Sequence, residues 1–128
     1  MVRFGATDGG EPCFDTSWTE KLKDVDGAVI ISKGSSEAFR KALVENKQKV
    51  IFHATITGLG GSVLEPGVPK WEKAVESLEQ LIGKGFPAEQ VVMRADPIVG
   101  EKLFAQLRLC EKTEETWQQT YARWLAEI

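Results

Sequence analysis

Polar side chains able to bind a ligand occur near the ends of the predicted strands. Lys33 follows the apolar run 27–32, and His53, Thr55 and Thr57 alternate along the next apolar run. Because residues two apart in a strand lie on the same face, these three side chains share one side of the sheet. In parallel α/β folds, ligands gather at the carboxyl ends of the strands. The pattern therefore predicts a site for a small anion or a nucleotide at this edge.

The fourth predicted strand adds two charged groups of opposite sign. Arg94 and Asp96 share a face, although the preceding residues 91–93 are all apolar. Together with His53, Asp96 is a candidate general acid or base, while Lys33 or Arg94 would hold an anionic group. Acid–base chemistry on an anionic substrate is therefore one hypothesis for the function.

Each of these residues also has a purely structural interpretation. A single histidine such as His53 is often a hydrogen-bonded core residue, and Arg94 with Asp96 can form an ion pair across the strand end. Lys33 precedes a glycine and can be a solvated turn residue. Asp8 supplies a carboxylate near the first strand, but Asp-Gly-Gly is also a turn sequence. The coincidence of polar residues at four strand ends favours a site more than any one residue does.

The segment 58–69 predicts a long loop, since it contains four glycines and two prolines. Loops of this length in a compact domain are uncommon and are often functional. Its opening, Gly-Leu-Gly-Gly-Ser, lacks the Gly-Lys-Ser/Thr of a P-loop and the spacing of a dinucleotide fingerprint. We therefore expect a flexible loop rather than a phosphate-binding motif.

The elements that position these residues alternate between strand and helix along a single α/β domain, residues 1–128. Strands are predicted at 2–6, 27–32, 49–57 and 91–95, and helices at 15–24, 37–46, 70–82, 101–109 and from 113 onward. Such alternation predicts parallel βα repeats with right-handed crossovers. Four strands form either a half-barrel, which is a partial TIM barrel, or a small open doubly wound sheet.

Composition excludes several classes of function. A net charge of -3 without a cluster of Lys and Arg argues against a nucleic-acid partner. No apolar run reaches the length of about 18 residues that a membrane span needs, and the N-terminus has no hydrophobic signal core. We expect a cytoplasmic protein with reduced cysteines. Cys13, Cys110 and one histidine are too few for an obvious metal site.

Three short segments resemble a known family. They are Thr-Ile-Thr-Gly at 55–58, Glu-Pro-x-x-Pro at 65–69 and Arg-x-Asp-Pro-Ile at 94–98. In order and separation they are similar to an uncharacterised radical-SAM-like family of bacterial proteins related to spore photoproduct lyase. Lys33 matches the lysine at the end of that family's preceding strand. The resemblance spans roughly residues 7 to 100.

The resemblance implies a parallel βα barrel with Glu65, Arg94 and Asp96 near an adenosylmethionine or substrate site. Enzymes of that type hold a four-iron cluster on three closely spaced cysteines, which Cys13 and Cys110 cannot supply. In the similar family the cysteines lie outside the matched region. We therefore expect no cluster on this chain as it stands, while adenosylmethionine stays a candidate ligand.

Length bears on the architecture, because a complete barrel usually needs about 200 residues. We expect a shortened relative, a split half or a fragment that pairs with a second copy or with a barrel-completing chain. The favoured function is a small-molecule binding or partner module derived from a radical-SAM-like barrel. The alternatives are a structural subunit that completes a barrel, and an enzyme that uses His53 and Asp96.

Overall fold

The computed structural model describes most of the chain up to residue 95. The described residues are 1–7, 10–95, Lys102, Gln119, Ala122, Arg123, Leu125 and Ala126. Asp8, Asp96 and Cys110 lie outside this set, and the two helices predicted at 101–109 and from 113 onward fall largely outside it.

Four parallel strands form one sheet in the described part of the chain. They are β1 (Phe4–Ala6), β2 (Gly27–Ser32), β3 (Val50–Ile56) and β4 (Val91–Ala95), and they lie side by side in chain order. The predicted α/β fold with four parallel strands is confirmed. The sheet is open and is not closed into a barrel.

Three α-helices connect these strands. They are α1 (Trp18–Lys21), which continues as a 3₁₀ turn (Leu22–Asp24), α2 (Glu37–Glu45) and α3 (Trp71–Gly83). A second 3₁₀ turn (Ala88–Gln90) leads into β4.

Local residue chemistry sets where α2 begins and how the chain leaves α3. Ser36 caps α2, because its hydroxyl oxygen accepts a hydrogen bond from the Phe39 backbone N–H at 3.1 Å. After α3, Gly85 adopts a φ of 100°, a conformation that favours glycine.

Alternating residues of the central strands build the core. Side chains of one parity from β2 and β3 join the same buried cluster as the helices, and they include Ile30 and Phe52. Phe39 of α2 packs edge-to-face on Phe52 at 5.4 Å between ring centroids and on Trp18 at 6.3 Å. The three α-helices thus share one face of the sheet, which we call the helix face.

The opposite face, which we call the inner face, carries residues of the other parity. Ile31 and His53 are half-buried there and lie next to each other in the register of β2 and β3. Towards the carboxyl ends this face continues through Thr55 to Thr57. No described helix is long and apolar enough to cross a membrane.

Candidate functional site

A carboxylate from the long loop joins two of the predicted site residues. Glu65 Oε1 lies 2.5 Å from Lys33 Nζ, just beyond the end of β2. The Thr57 hydroxyl, just beyond the end of β3, donates a hydrogen bond to the other oxygen of the same carboxylate. We call Lys33, Thr57 and Glu65 the strand-end cluster.

Internal hydrogen bonds of the loop 58–69 hold Glu65 over the sheet edge. The Gly61 N–H donates to the Glu65 carbonyl at 2.9 Å, and the Glu65 N–H donates to the Ser62 carbonyl at 3.2 Å. Gly60 fits only without a side chain, because a Cβ there would overlap the Pro69 carbonyl oxygen. The sequence predicts a flexible loop, yet these contacts fold the loop back on itself.

Thr57 links the loop to the strand. Its side chain is almost fully buried, with 1% of the residue exposed. The hydroxyl oxygen accepts a hydrogen bond from the Leu59 backbone N–H at 2.9 Å, and the hydroxyl group donates a hydrogen bond to the Glu65 carboxylate. The hydroxyl therefore acts as donor and as acceptor at the same time, and its orientation is fixed.

The surroundings of Glu65 favour its charged form. Burial is the largest influence and raises the pKa of Glu65, but hydrogen bonds from Lys33 and Thr57 and the Lys33 charge act the other way. Their combined effect lowers the pKa below its ordinary value of 4.5. The Glu65 side chain is 16% exposed and that of Lys33 is 39% exposed, so water screens the pair mainly on the lysine side.

Thr55 and Arg94 lie near the same edge of the sheet, and His53 lies deeper in β3. Thr55 is buried and lies beside Arg94 in the register of β3 and β4, and Arg94 is exposed. His53 has Ile31 and Val92 as its register neighbours. The described residues offer no hydrogen-bond partner to the His53 ring that would mark it as an acid or base. Its catalytic role stays a prediction, as does that of Asp96, which lies outside the described residues.

A second carboxylate fixes the other side of the end of β2. The Ser32 hydroxyl donates to Glu11 Oε1, which also accepts the Cys13 backbone N–H at 3.0 Å. The Ser32 oxygen in turn accepts the Gly34 N–H at 2.7 Å. Ser32 and Lys33 are consecutive, so Glu11 and Glu65 hold adjacent residues. The sequence pattern predicts neither Glu11 nor Ser32 as a site residue.

A family relationship covers most of the sequence. Residues 11–122 match a family described as a domain of unknown function, DUF1848. The chain belongs to the DUF1848 family. The match includes the strand-end cluster, so the family relationship extends over the whole of that cluster. No curated protein and no solved structure is significantly similar to the chain.

The DUF1848 chain shows no set of metal ligands in its described part. No three His, Cys, Asp or Glu side chains come together among these residues. Cys13 is buried and free, and its carbonyl accepts a hydrogen bond from the Ser36 hydroxyl at 3.3 Å, at the start of α2.

A cleft of about 340 Å³ lies beside Glu11, between β1 and α1. Its walls include Thr7, Trp18 and Leu22. The strand-end cluster of the DUF1848 chain does not line this cleft. It lies instead at the carboxyl edge of the sheet, where a cation, a hydroxyl and a carboxylate meet.

Proposed function

We propose that this DUF1848 chain binds a small anionic molecule or a nucleotide at the carboxyl edge of its sheet. The observation that supports the proposal is the contact of 2.5 Å between Lys33 Nζ and Glu65 Oε1, with Thr57 on the second carboxylate oxygen. Three polar side chains from two strand ends and one loop are held together where parallel α/β folds bind ligands.

The cluster has hydrogen-bonding capacity to spare. An ammonium group has three N–H donors. Lys33 uses one of them in its hydrogen bond to Glu65, so two remain for an anionic group of the ligand. A carboxylate has about four acceptor sites, and Lys33 with Thr57 use two of those on Glu65. The others suit hydroxyl or ammonium donors. A ligand with an acidic group and a vicinal diol, such as a nucleotide, matches both capacities.

The radical-SAM-like origin is part of the same proposal. It is supported by the segments at 55–58 and 65–69, which supply Thr57 and Glu65. It is also supported by parallel strands in chain order with the three α-helices on one face, an arrangement typical of βα barrels. Adenosylmethionine carries a carboxylate, an ammonium group and a ribose diol, so its chemistry fits Lys33 and Glu65. No iron–sulfur chemistry is proposed for this chain.

A second candidate function is that of a structural subunit that completes a barrel with another copy or another chain. Large apolar side chains are exposed at both edges of the sheet: Phe4 of β1 by 63%, Val92 of β4 by 41% and Met93 by 45%. The outer edges of β1 and β4 have no strand partner among the described residues, and strand edges with apolar side chains favour pairing with another chain. The solution mass of the purified chain tests this candidate: a dimer favours it, and a monomer at all concentrations contradicts self-pairing.

Isothermal titration calorimetry with adenosylmethionine and with AMP tests the ligand-binding proposal. We expect saturable binding of at least one of them to the wild-type chain and a clear loss of affinity in Lys33→Met. The matched control is Lys41→Met, because Lys41 is exposed on α2 and only reaches Glu45 at 3.9 Å. Equal binding by Lys33→Met, or none by the wild type, would contradict the proposal.

A further inference from the structure

A second polar cleft lies on the outer side of the fold, between α2 and α3. It has a volume of about 260 Å³, and its walls include Ser35, Arg40, Lys73 and Ser77. None of the strand-end cluster lines it. The proposed ligand site therefore forms no part of the wall of this cleft.

Arg40 is the central group of this cleft. Its Nη1 donates hydrogen bonds to Ser77 Oγ at 2.9 Å and to Ser35 Oγ at 3.3 Å, which fixes the plane of the guanidinium. Its Nε is buried and has no hydrogen-bond partner. Among the described residues no carboxylate lies within ion-pair distance of Arg40. A fixed, half-buried cation without a counter-ion is unusual, because burial of a charge is costly unless the charge is paired.

The hydroxyls around Arg40 are oriented to donate. Ser35 and Ser77 both accept from the guanidinium, so their own protons point away from it. Lys73 adds a second cation from the first turn of α3, where the helix dipole is positive. Lys73 is paired with Glu76 at 3.1 Å, and both side chains are largely exposed, so this pair is weak. The cleft keeps a net positive charge on Arg40.

We propose that this cleft binds a phosphate group, either as free phosphate or as part of a larger molecule. Arg40 is its main ligand, since a guanidinium matches the geometry of a phosphate with two donors. The hydroxyls of Ser35 and Ser77 donate to the same group, and the Lys73 ammonium lies at the rim. Bound phosphate would neutralise the one half-buried cation of the cleft that lacks a counter-ion among the described residues.

Nuclear magnetic resonance of the Arg40 side chain tests this proposal directly. Inorganic phosphate and AMP are titrated separately at constant ionic strength, and the Arg40 Nε–Hε resonance is followed. We expect a saturable shift with at least one of the two. A shift with both identifies the phosphate group as the ligand, and a shift with AMP alone identifies an esterified phosphate. No saturable shift with either would overturn the proposal.

Two variants test the proposal independently, so that one result remains if the other variant folds poorly. Arg40→Gln keeps the hydrogen-bonding capacity towards Ser77 but removes the charge, and should weaken phosphate binding by about tenfold or more. Glu76→Gln removes the competing carboxylate at the rim and should strengthen binding a few-fold. Glu79→Gln, at an exposed position of the same helix, is the control and should leave the affinity unchanged. Unchanged affinity in both Arg40→Gln and Glu76→Gln would overturn the proposal.

Discussion

Lys33 Nζ and Glu65 Oε1 lie 2.5 Å apart and join the end of β2 to the loop that follows β3. They are 32 residues apart in sequence, so their contact links two distant segments of the chain at the carboxyl edge of the sheet. The same carboxylate also accepts a hydrogen bond from the Thr57 hydroxyl, so Glu65 contacts both other residues of the strand-end cluster.

Replacement of Glu65 by glutamine should destabilise the fold in a pH-dependent way. Around neutral pH we expect Glu65→Gln to lower the free energy of unfolding by about 1 kcal/mol, a modest value because Lys33 is 39% exposed. The folded-state pKa of Glu65 lies below its ordinary value of 4.5, so the charged carboxylate stabilises the fold above that pH. The difference between wild type and variant should shrink as the pH falls through the folded-state pKa.

Urea unfolding at a series of pH values measures this difference. Glu45→Gln is the control, since Glu45 is exposed and only 3.9 Å from the exposed Lys41, and its effect should be close to zero throughout. A constant difference between wild type and Glu65→Gln down to the acid limit would contradict the predicted role of the Glu65 charge.

Removal of the Ser32 hydroxyl should also destabilise the fold. Ser32 is 4% exposed, and its oxygen joins Glu11 to the Gly34 N–H. Ser32→Ala leaves both groups without this partner, which costs about 1–3 kcal/mol. The free energy of unfolding from urea titration checks the value. A variant as stable as the wild type would show that water replaces the hydroxyl at no cost.

Gly60 and Gly67 form a matched pair that tests the loop. An added Cβ would overlap the Pro69 carbonyl oxygen at Gly60, but it meets nothing within 4 Å at Gly67. We expect Gly60→Ala to displace the loop, to reduce stability by about 1–3 kcal/mol and to weaken ligand binding at Lys33. Gly67→Ala should have none of these three effects. Equal thermal midpoints and affinities in the two variants would contradict a fixed loop.

The cap of α2 gives a prediction away from the site. Ser36→Ala removes the acceptor of the Phe39 N–H and should cost about 1 kcal/mol of unfolding free energy. Ser36→Asp restores an acceptor and should recover most of the loss, and thermal denaturation of both variants measures it. No recovery in Ser36→Asp would mean that the contact of Ser36 with the Cys13 carbonyl matters more than the cap.

Much of the fold is predictable from sequence because local patterns decide it. β2 and β4 have the predicted bounds, since apolar runs with flanking turn residues mark both ends. β1 is shorter than predicted and covers Phe4–Ala6. β1 lies at the edge of the sheet, and only the residues that pair with β2 belong to the strand. An apolar run in the sequence does not show where this pairing begins.

The site is predictable only in part. Parallel strands bring their carboxyl ends together, so strand order alone predicts Lys33 and Thr57 at one edge, without any contact between them. Glu65 comes from the family resemblance, because nothing in the composition of a loop shows which of its residues turns back to the sheet. Glu11 and Ser32 are 21 residues apart in sequence, and their contact depends on how the loop after β1 packs against the end of β2. No spacing rule predicts such a contact.

The most direct test of the strand-end site is a map of backbone amide shifts in the ¹H–¹⁵N spectrum during titration with adenosylmethionine or AMP. Binding at the proposed site should produce saturable shifts centred on Lys33, Thr57 and Glu65, and these shifts should be absent in Lys33→Met. Shifts confined to other regions, or saturation without any change at the strand-end cluster, would contradict the proposed function.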